Sequence, residues 1–282
     1  MAVKIVTDST SYIPEEYVNK YDIKIASLNV VMDGESRREV DIDNENFYEK
    51  MSKSSEIPKS SQPIPEEMLN IFKDIVANGD SIVGIFLSSK MSGTYSNANM
   101  IKNMILEDYP KANIEILDSK TNCMQMGFAA IKAGEAAKEG KSMGEVIELA
   151  QHILNNSRFL FTPDTLEYLK KGGRIGSAAA LFGNLFQIKP ILTVVDGETS
   201  VFKKVRTRKK AVDEIVEAVL NEIKSKGLGD VIVHHINCEE EGMKLAKALE
   251  NKLGQKVGIQ SIGPVIGLHV GPGSIGIAYY TK

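Results

Sequence analysis

The sequence predicts an α/β protein in two domains: a Rossmann-like parallel sheet with flanking helices, then a second α/β domain built on a mixed sheet. Three observations carry this. Short β-rich runs alternate with stretches of helical periodicity. The chain has 282 residues, enough for two domains of roughly 130–150 residues each. Three strands of the first half end in small polar residues, at the edge of an open α/β sheet where ligands bind.

Val3–Val6 reads as the first strand, ending in Asp8-Ser9-Thr10-Ser11, and Pro14 opens a short helix. Ile23–Met32 and Ser36–Val40 read as a hairpin turning at Asp33-Gly34. A polar stretch, Ser52–Gln62, leads through Pro63 and Pro65 into a helix over Glu66–Asn78. Strand Ile82–Leu87 enters the helix Ser96–Leu106 through SSKMSGTYS, and strand Ile114–Leu117 ends at Asp118-Ser119-Lys120. Helices at Met124–Lys138 and Ser142–Asn155 close the first half. Then come strand Phe159–Phe161, a helix over Asp164–Lys171 stopped by Gly172-Gly173, and an unusually apolar helix over Ser177–Phe186. Asp196-Gly197 marks a second hairpin between Ile191–Val195 and Val201–Val205. A long helix over Thr207–Lys226 is followed by strand Val231–Ile236, helix Glu240–Leu253, and strands Val257–Ile262 and Gly273–Tyr280. The expected domains are residues 1–158 and 159–282, with 52–63 a candidate for the cleft between them.

Composition excludes several classes. Lys plus Arg number 34 against 37 Asp plus Glu, a net charge of -3, and Trp is absent. Nucleic acid is therefore not the expected partner. Two cysteines, Cys123 and Cys238, supply neither a disulfide framework nor a Cys-based zinc site. No apolar run approaches the ~20 residues that span a bilayer, and MAVKIVTDSTS does not read as a signal peptide. The expectation is a soluble protein of a reducing compartment, the cytoplasm, with no integral membrane segment.

Three polar clusters stand at strand ends: Asp8-Ser9-Thr10, then Ser88-Ser89 with Ser92-Gly93-Thr94, then Asp118-Ser119. Helix capping explains each one alone; the three together favour a bound anion near a helix N-terminus. GPGSIG at Gly271–Gly276 is no dinucleotide fingerprint, because only six residues follow it. There is neither a P-loop nor a G-x-S-x-G elbow. Asp41, Asp43 and Glu45 read as a solvated acidic loop, since the turn glycine of a calcium loop is missing. His269, among the glycines of GLHVGPG, is the histidine placed to meet a ligand. His152, His234 and His235 fit ordinary packing, and no pair has metal-ligand spacing on a helix, so no metal is expected. Lys203, Lys204, Arg206, Arg208, Lys209 and Lys210 put six cations in eight positions at a helix start, where they oppose the macrodipole. They form either a solvated surface run or a docking patch for an acidic partner.

Several segments together resemble the DegV family, which includes the fatty-acid-binding subunits of bacterial fatty-acid kinases. They are TDSTS, PKSSQP (Pro58–Pro63), LSSKMSGTYSNA (Leu87–Ala98), the aspartate of ILDSK, TLEYLKKGGRIG (Thr165–Gly176), KPIL, VRTRKKA and GLHVGPGSIGI. They occur in family order and cover nearly the whole chain. The resemblance implies a carrier rather than an enzyme: one long-chain fatty acid, such as palmitate or oleate, with its tail in an apolar tunnel and its carboxylate between the domains. It implies no cofactor, and a separate ATP-binding kinase subunit as partner, which makes the acyl phosphate. The carboxylate contacts it implies are Ser60, Ser92 and His269, with Ser61, Thr94 and Arg174 around them and Arg206 at the kinase surface. Serine at position 60, where the family usually has threonine, keeps the hydroxyl but loosens its rotamer; adjacent Ser61 competes for the role. Ala178–Phe186, with Ile188 and Ile191, is the candidate tunnel wall. Two rival readings are a serine-dependent acyl hydrolase or transferase using Ser92 with His269 as base, and a sensor of phosphorylated ligands at the strand-end serines.

Overall fold

The computed structural model describes residues 2–54, 56–181 and 188–282. The first half runs β1 (Val3–Asp8), α1 (Glu15–Tyr21), β2 (Lys24–Ala26), β3 (Asn29–Met32), β4 (Glu35–Arg38), α2 (Asn44–Lys53), β5 (Lys59–Ser61), α3 (Pro65–Ala77), β6 (Ser81–Phe86), α4 (Thr94–Asp108), β7 (Ile114–Asp118), α5 (Cys123–Lys138) and α6 (Met143–Asn155). The second runs β8 (Ser157–Thr162), α7 (Glu167–Lys171), a 3-10 turn at Gly176–Leu181, β9 (Lys189–Val195), β10 (Glu198–Val205), α8 (Arg208–Lys226), β11 (Leu228–His235), α9 (Glu239–Leu253), β12 (Gly258–Ser261), α10 (Pro264–Val270) and β13 (Ile275–Thr281).

A parallel sheet with order β2-β1-β6-β7 organises the first half. Every residue of β6 is buried, as expected of a strand covered on both faces. Helices α3 and α4 close one face through Phe72, Ile75, Ile101 and Ile105. The other face meets α5, whose sequence CMQMGFAAIKAGEAAK is buried on nearly every side. Its small residues let it fit between β1 and a second sheet, against which it packs through β8 and β13. That six-stranded sheet has order β10-β9-β8-β13-β11-β12, antiparallel except for β11 with β12. Alternation along β8 divides its faces: Phe159 and Phe161 join the core around α5, while Leu160 joins the outer core under α8 and α9. The α/β architecture, with one parallel and one mixed sheet, is as the sequence predicts.

Both predicted hairpin turns form. Asp33 and Gly34 lie at φ 53° and 81°, Asp196 and Gly197 at 49° and 85°; two consecutive left-handed residues match the twist of the flanking strands. Three local expectations need correction, and one helix has no counterpart among them. Ile23–Met32 is two strands: β2 completes the parallel sheet, and beyond Ser27-Leu28 the chain crosses into a separate sheet of order β4-β3-β5. The acidic stretch around Asp43 is not a loop, because the Asp43 carboxylate accepts from the Asn46 N–H at 2.9 Å and caps α2, which buries Phe47, Tyr48 and Met51. GLHVGPG contributes to a helix, α10, begun by Pro264 at its first turn. The helix expected at Ser177–Phe186 is a 3-10 turn through Leu181, and 182–187 lie outside the described residues.

Candidate functional site

The small antiparallel sheet and α10 meet above the junction of the two large sheets, and a cavity of about 330 Å³ opens there. That volume lies in the range of small-molecule sites. Its walls are largely apolar: Phe159 and Phe161 from β8, Leu169 from α7, Ile262, and Val265 and Ile266 from α10. Polar groups also line it, among them Ser60 and Ser61 on β5, Ser92 before α4, Arg174 after α7 and His269 on α10.

The sequence brings Ser60 there by pairing. Ser60 lies opposite Val30 in the β3–β5 ladder, and alternation sends the side chains of Ser60 and Ser61 to opposite faces. The Ser60 Oγ lies 2.9 Å from Nε2 of His269. Burial and the nearby Arg174 guanidinium push the His269 pKa down to about 4, so the imidazole is neutral at pH 7. Its Nδ1 is buried with no hydrogen-bond partner among the described residues. The ring lies against Gly172, where a Cβ would fall 2.3 Å from Nδ1; only a glycine lets α7 end this close to α10.

Ser92 Oγ lies 3.0 Å from Thr94 Oγ1 and accepts from the Thr94 N–H at 3.3 Å. Ser92 thus forms a local turn with Thr94 just before α4, whose N-cap is Gly93, and it also lines the cavity. Thr94 itself is fully buried behind it. Arg174 donates from Nε to the Met91 carbonyl at 3.1 Å and from Nη1 to the Gly172 carbonyl at 2.6 Å. It thus ties the loop bearing Ser92 to the glycine beside His269 and puts a positive charge at the cavity.

Arg206 is exposed on the turn before α8 and does not line the cavity. Of the six clustered cations, Lys203 and Lys210 pair with Glu214, and Arg208 with Glu241. Lys204, Arg206 and Lys209 have no ion pair among the described residues. Half the charge expected to oppose the helix dipole is thus neutralised by acids that the linear pattern did not connect with it.

Two of the three strand-end clusters do not reach the cavity. Asp8 is consumed by structure, accepting from Thr10 N–H and Leu87 N–H, and Asp118 accepts from the Ser89 hydroxyl. Of the expected tunnel wall, Ile191 belongs to the outer core, Ala178 and Leu181 are buried in the core around α5 with Ile188 packed against it, none of the four lines the cavity, and 182–186 lie outside the described residues. Sequence reasoning missed the apolar face of α10, and also His234, which lines the cavity from β11. Nor is a hydrolytic pair assembled: Ser92 bonds with Thr94, His269 with Ser60, and no carboxylate orients the imidazole among the described residues. The described residues hold no cluster of His, Cys, Asp and Glu that could bind a metal, and none of their helices is long and apolar enough to cross a membrane.

The class this architecture defines is settled by comparison with known proteins. The family model described as "Uncharacterised protein, DegV family" matches residues 2–282. A DegV domain-containing protein of Clostridium acetobutylicum is 55% identical over 282 residues, covering 100% of this chain and 99% of its own. The chain belongs to the DegV family. Among solved structures, DegV of Bacillus subtilis, described as a fatty acid binding protein, superposes with a TM-score of 0.89 at 37% identity over the full length of both chains. A stearic acid-binding protein from Eubacterium ventriosum gives a TM-score of 0.89 at 30% identity, covering 99% of this chain and 98% of that one.

Proposed function

We propose that this protein binds one long-chain fatty acid, with the tail along the apolar walls and the carboxylate at Ser60, Ser92 and His269. The observation that carries this reading is the Ser60–His269 contact at 2.9 Å in a largely apolar cavity that Ser92 also lines. With its hydrogen on Nε2, His269 can share that donor between Ser60 Oγ and a carboxylate oxygen, and the Ser60 hydroxyl hydrogen is free for the same carboxylate. Ser61, Thr94 and Arg174 complete the surroundings, Arg174 supplying charge compensation. The similar proteins that bind fatty acids support the choice of ligand.

The energetics are suitable. Burying ~15 methylenes at about 0.8 kcal/mol each gives a gross term near 12 kcal/mol, reduced by ordering. An unpaired buried carboxylate would cost several kcal/mol, which neutral donors offset through charge-assisted hydrogen bonds. No step of covalent chemistry is assigned to the chain. It acts as a carrier in the cytoplasm, presenting the carboxylate to a separate ATP-dependent kinase subunit that docks at Arg206. Residues 1–158 and 159–282 form two lobes, with 52–63 contributing Ser60 to the cleft.

The test is uptake. Delipidated protein is incubated with palmitate or oleate, separated from free lipid, denatured and extracted for mass spectrometry. One fatty acid per chain is expected, with loss in His269→Ala and Ser92→Ala. Recovery of none would overturn the reading. Formation of acyl phosphate only when a fatty-acid kinase and ATP are added tests the carrier role, which acyl-ester turnover by the protein alone would contradict.

A further inference from the structure

Helix α10 has no side-chain cap of its own: its N-cap is Gly263 and its first residue Pro264. Its first-turn donors are satisfied from far away in sequence. The Val265 N–H donates 2.8 Å to Glu39 Oε1, and the Ile266 N–H donates 3.2 Å to the Tyr12 hydroxyl. Tyr12 in turn donates 2.8 Å to the same Glu39 oxygen, and the Ser9 hydroxyl donates to the other. Glu39 is 5% exposed, and hydrogen bonds, not a cation, hold it among the described residues.

A buried carboxylate without a cation is costly, and a surface-facing asparagine or serine would cap a helix more cheaply. Tyr12 adds a second cost, since its backbone is held at φ 47°, a conformation that bulky residues avoid. Both costs fall on the same junction. Val265 lines the cavity and stands one helical turn before His269, whose ring has only Ser60 as a hydrogen-bond partner among the described residues. The helix end that Glu39 fixes therefore sets where the imidazole sits.

We propose that Glu39 and Tyr12 are positioning residues for the ligand site, a cap supplied from a distant part of the same chain that holds α10 so that His269 stays in register with Ser60 and Ser92. Neither touches the cavity; they act through the backbone of Val265 and Ile266. Their effect on ligand affinity rests on the fatty-acid reading, whereas their effect on His269 does not.

Two readouts separate those layers. Imidazole NMR of the ligand-free protein reports the environment of His269, assigned with His269→Asn, and stearate titration reports affinity. Glu39→Ala is expected to move the His269 resonances and to weaken stearate binding about tenfold, the equivalent of one well-placed hydrogen bond. Glu39→Gln keeps an acceptor for Val265 and restores both, because the Ser9 hydroxyl can rotate to accept from the new amide. A folded Glu39→Ala protein with unshifted His269 resonances and unchanged affinity would overturn the proposal. If that variant does not fold, Tyr12→Phe decides: unshifted resonances there overturn it equally. Failure of the wild-type chain to bind stearate, with His269 still shifted in the variants, would instead count against the fatty-acid reading alone.

Discussion

The Ser60 hydroxyl and the His269 imidazole lie 2.9 Å apart although 209 positions separate them in the chain. Neither belongs to the large sheets. One sits on a three-residue strand, the other on a seven-residue helix, and the contact exists because both elements cover the junction of those sheets. Removal of the hydroxyl in Ser60→Ala should weaken fatty-acid binding by about tenfold to a hundredfold, the range for a hydrogen bond to a charged group. Ser60→Thr should bind at least as well as wild type, since it keeps the donor and stiffens its rotamer. Isothermal titration with oleate checks both.

Gly172 gives His269 its room. In Gly172→Ala the new Cβ would fall 2.3 Å from His269 Nδ1 and 3.1 Å from the Tyr168 carbonyl. The ring or the end of α7 must shift, so the variant should lose ligand affinity and about 1–3 kcal/mol of stability, typical of overpacking. Urea unfolding together with oleate titration measures the two effects.

His234 joins the halves of the molecule. It is fully buried; its Nε2 accepts from the Met124 N–H at 3.2 Å, and its Nδ1 donates to the Gln260 carbonyl at 3.0 Å. The Met124 bond needs the neutral ring, because a protonated Nε2 cannot accept, and burial pushes the pKa from 6.5 down to about 4. The unfolded chain therefore binds this proton more readily than the folded one. The associated stability is present above pH 6.5 and lost as pH falls from 6.5 towards 4, about 3 kcal/mol in all. In urea unfolding at a series of pH values, the stability difference between wild type and His234→Gln should shrink across that window. A constant difference would show that the ring does not titrate with folding.

Glu39 acts in the opposite sense. Burial raises its pKa from 4.5 to about 7, against the lowering effect of the Ser9, Val265 and Tyr12 hydrogen bonds. A raised folded-state value means stability present below pH 4.5 and lost as pH rises towards 7. Glu39→Gln, with no carboxyl to titrate, should therefore gain stability relative to wild type between pH 5 and 8. Thermal unfolding across that range checks the sign.

Much of the frame was legible in the chain. β6 is a continuous apolar run, and Asp33-Gly34 and Asp196-Gly197 are turn pairs whose chemistry is local. Local pattern could not show that Ile23–Met32 divides between two sheets, because the division depends on which strands receive it. It also hid α10, whose seven residues PVIGLHV are too few to show helical periodicity and are held by Glu39 and Tyr12 from the other end of the chain. Motifs that resemble a family point to Ser60, Ser92 and His269; that all three line one cavity is a property of the fold. Glu39 had no signal at all, since a lone glutamate after a hairpin strand reads as solvated.

A crystal structure with stearate bound would locate the acidic head of the ligand. Carboxylate oxygens are expected within hydrogen-bonding distance of Ser60 Oγ, Ser92 Oγ and His269, with the tail running past Phe159 and Ile266. A tail entering in the reverse sense, or a carboxylate paired elsewhere while these three side chains keep only each other, would rule out this placement of the head.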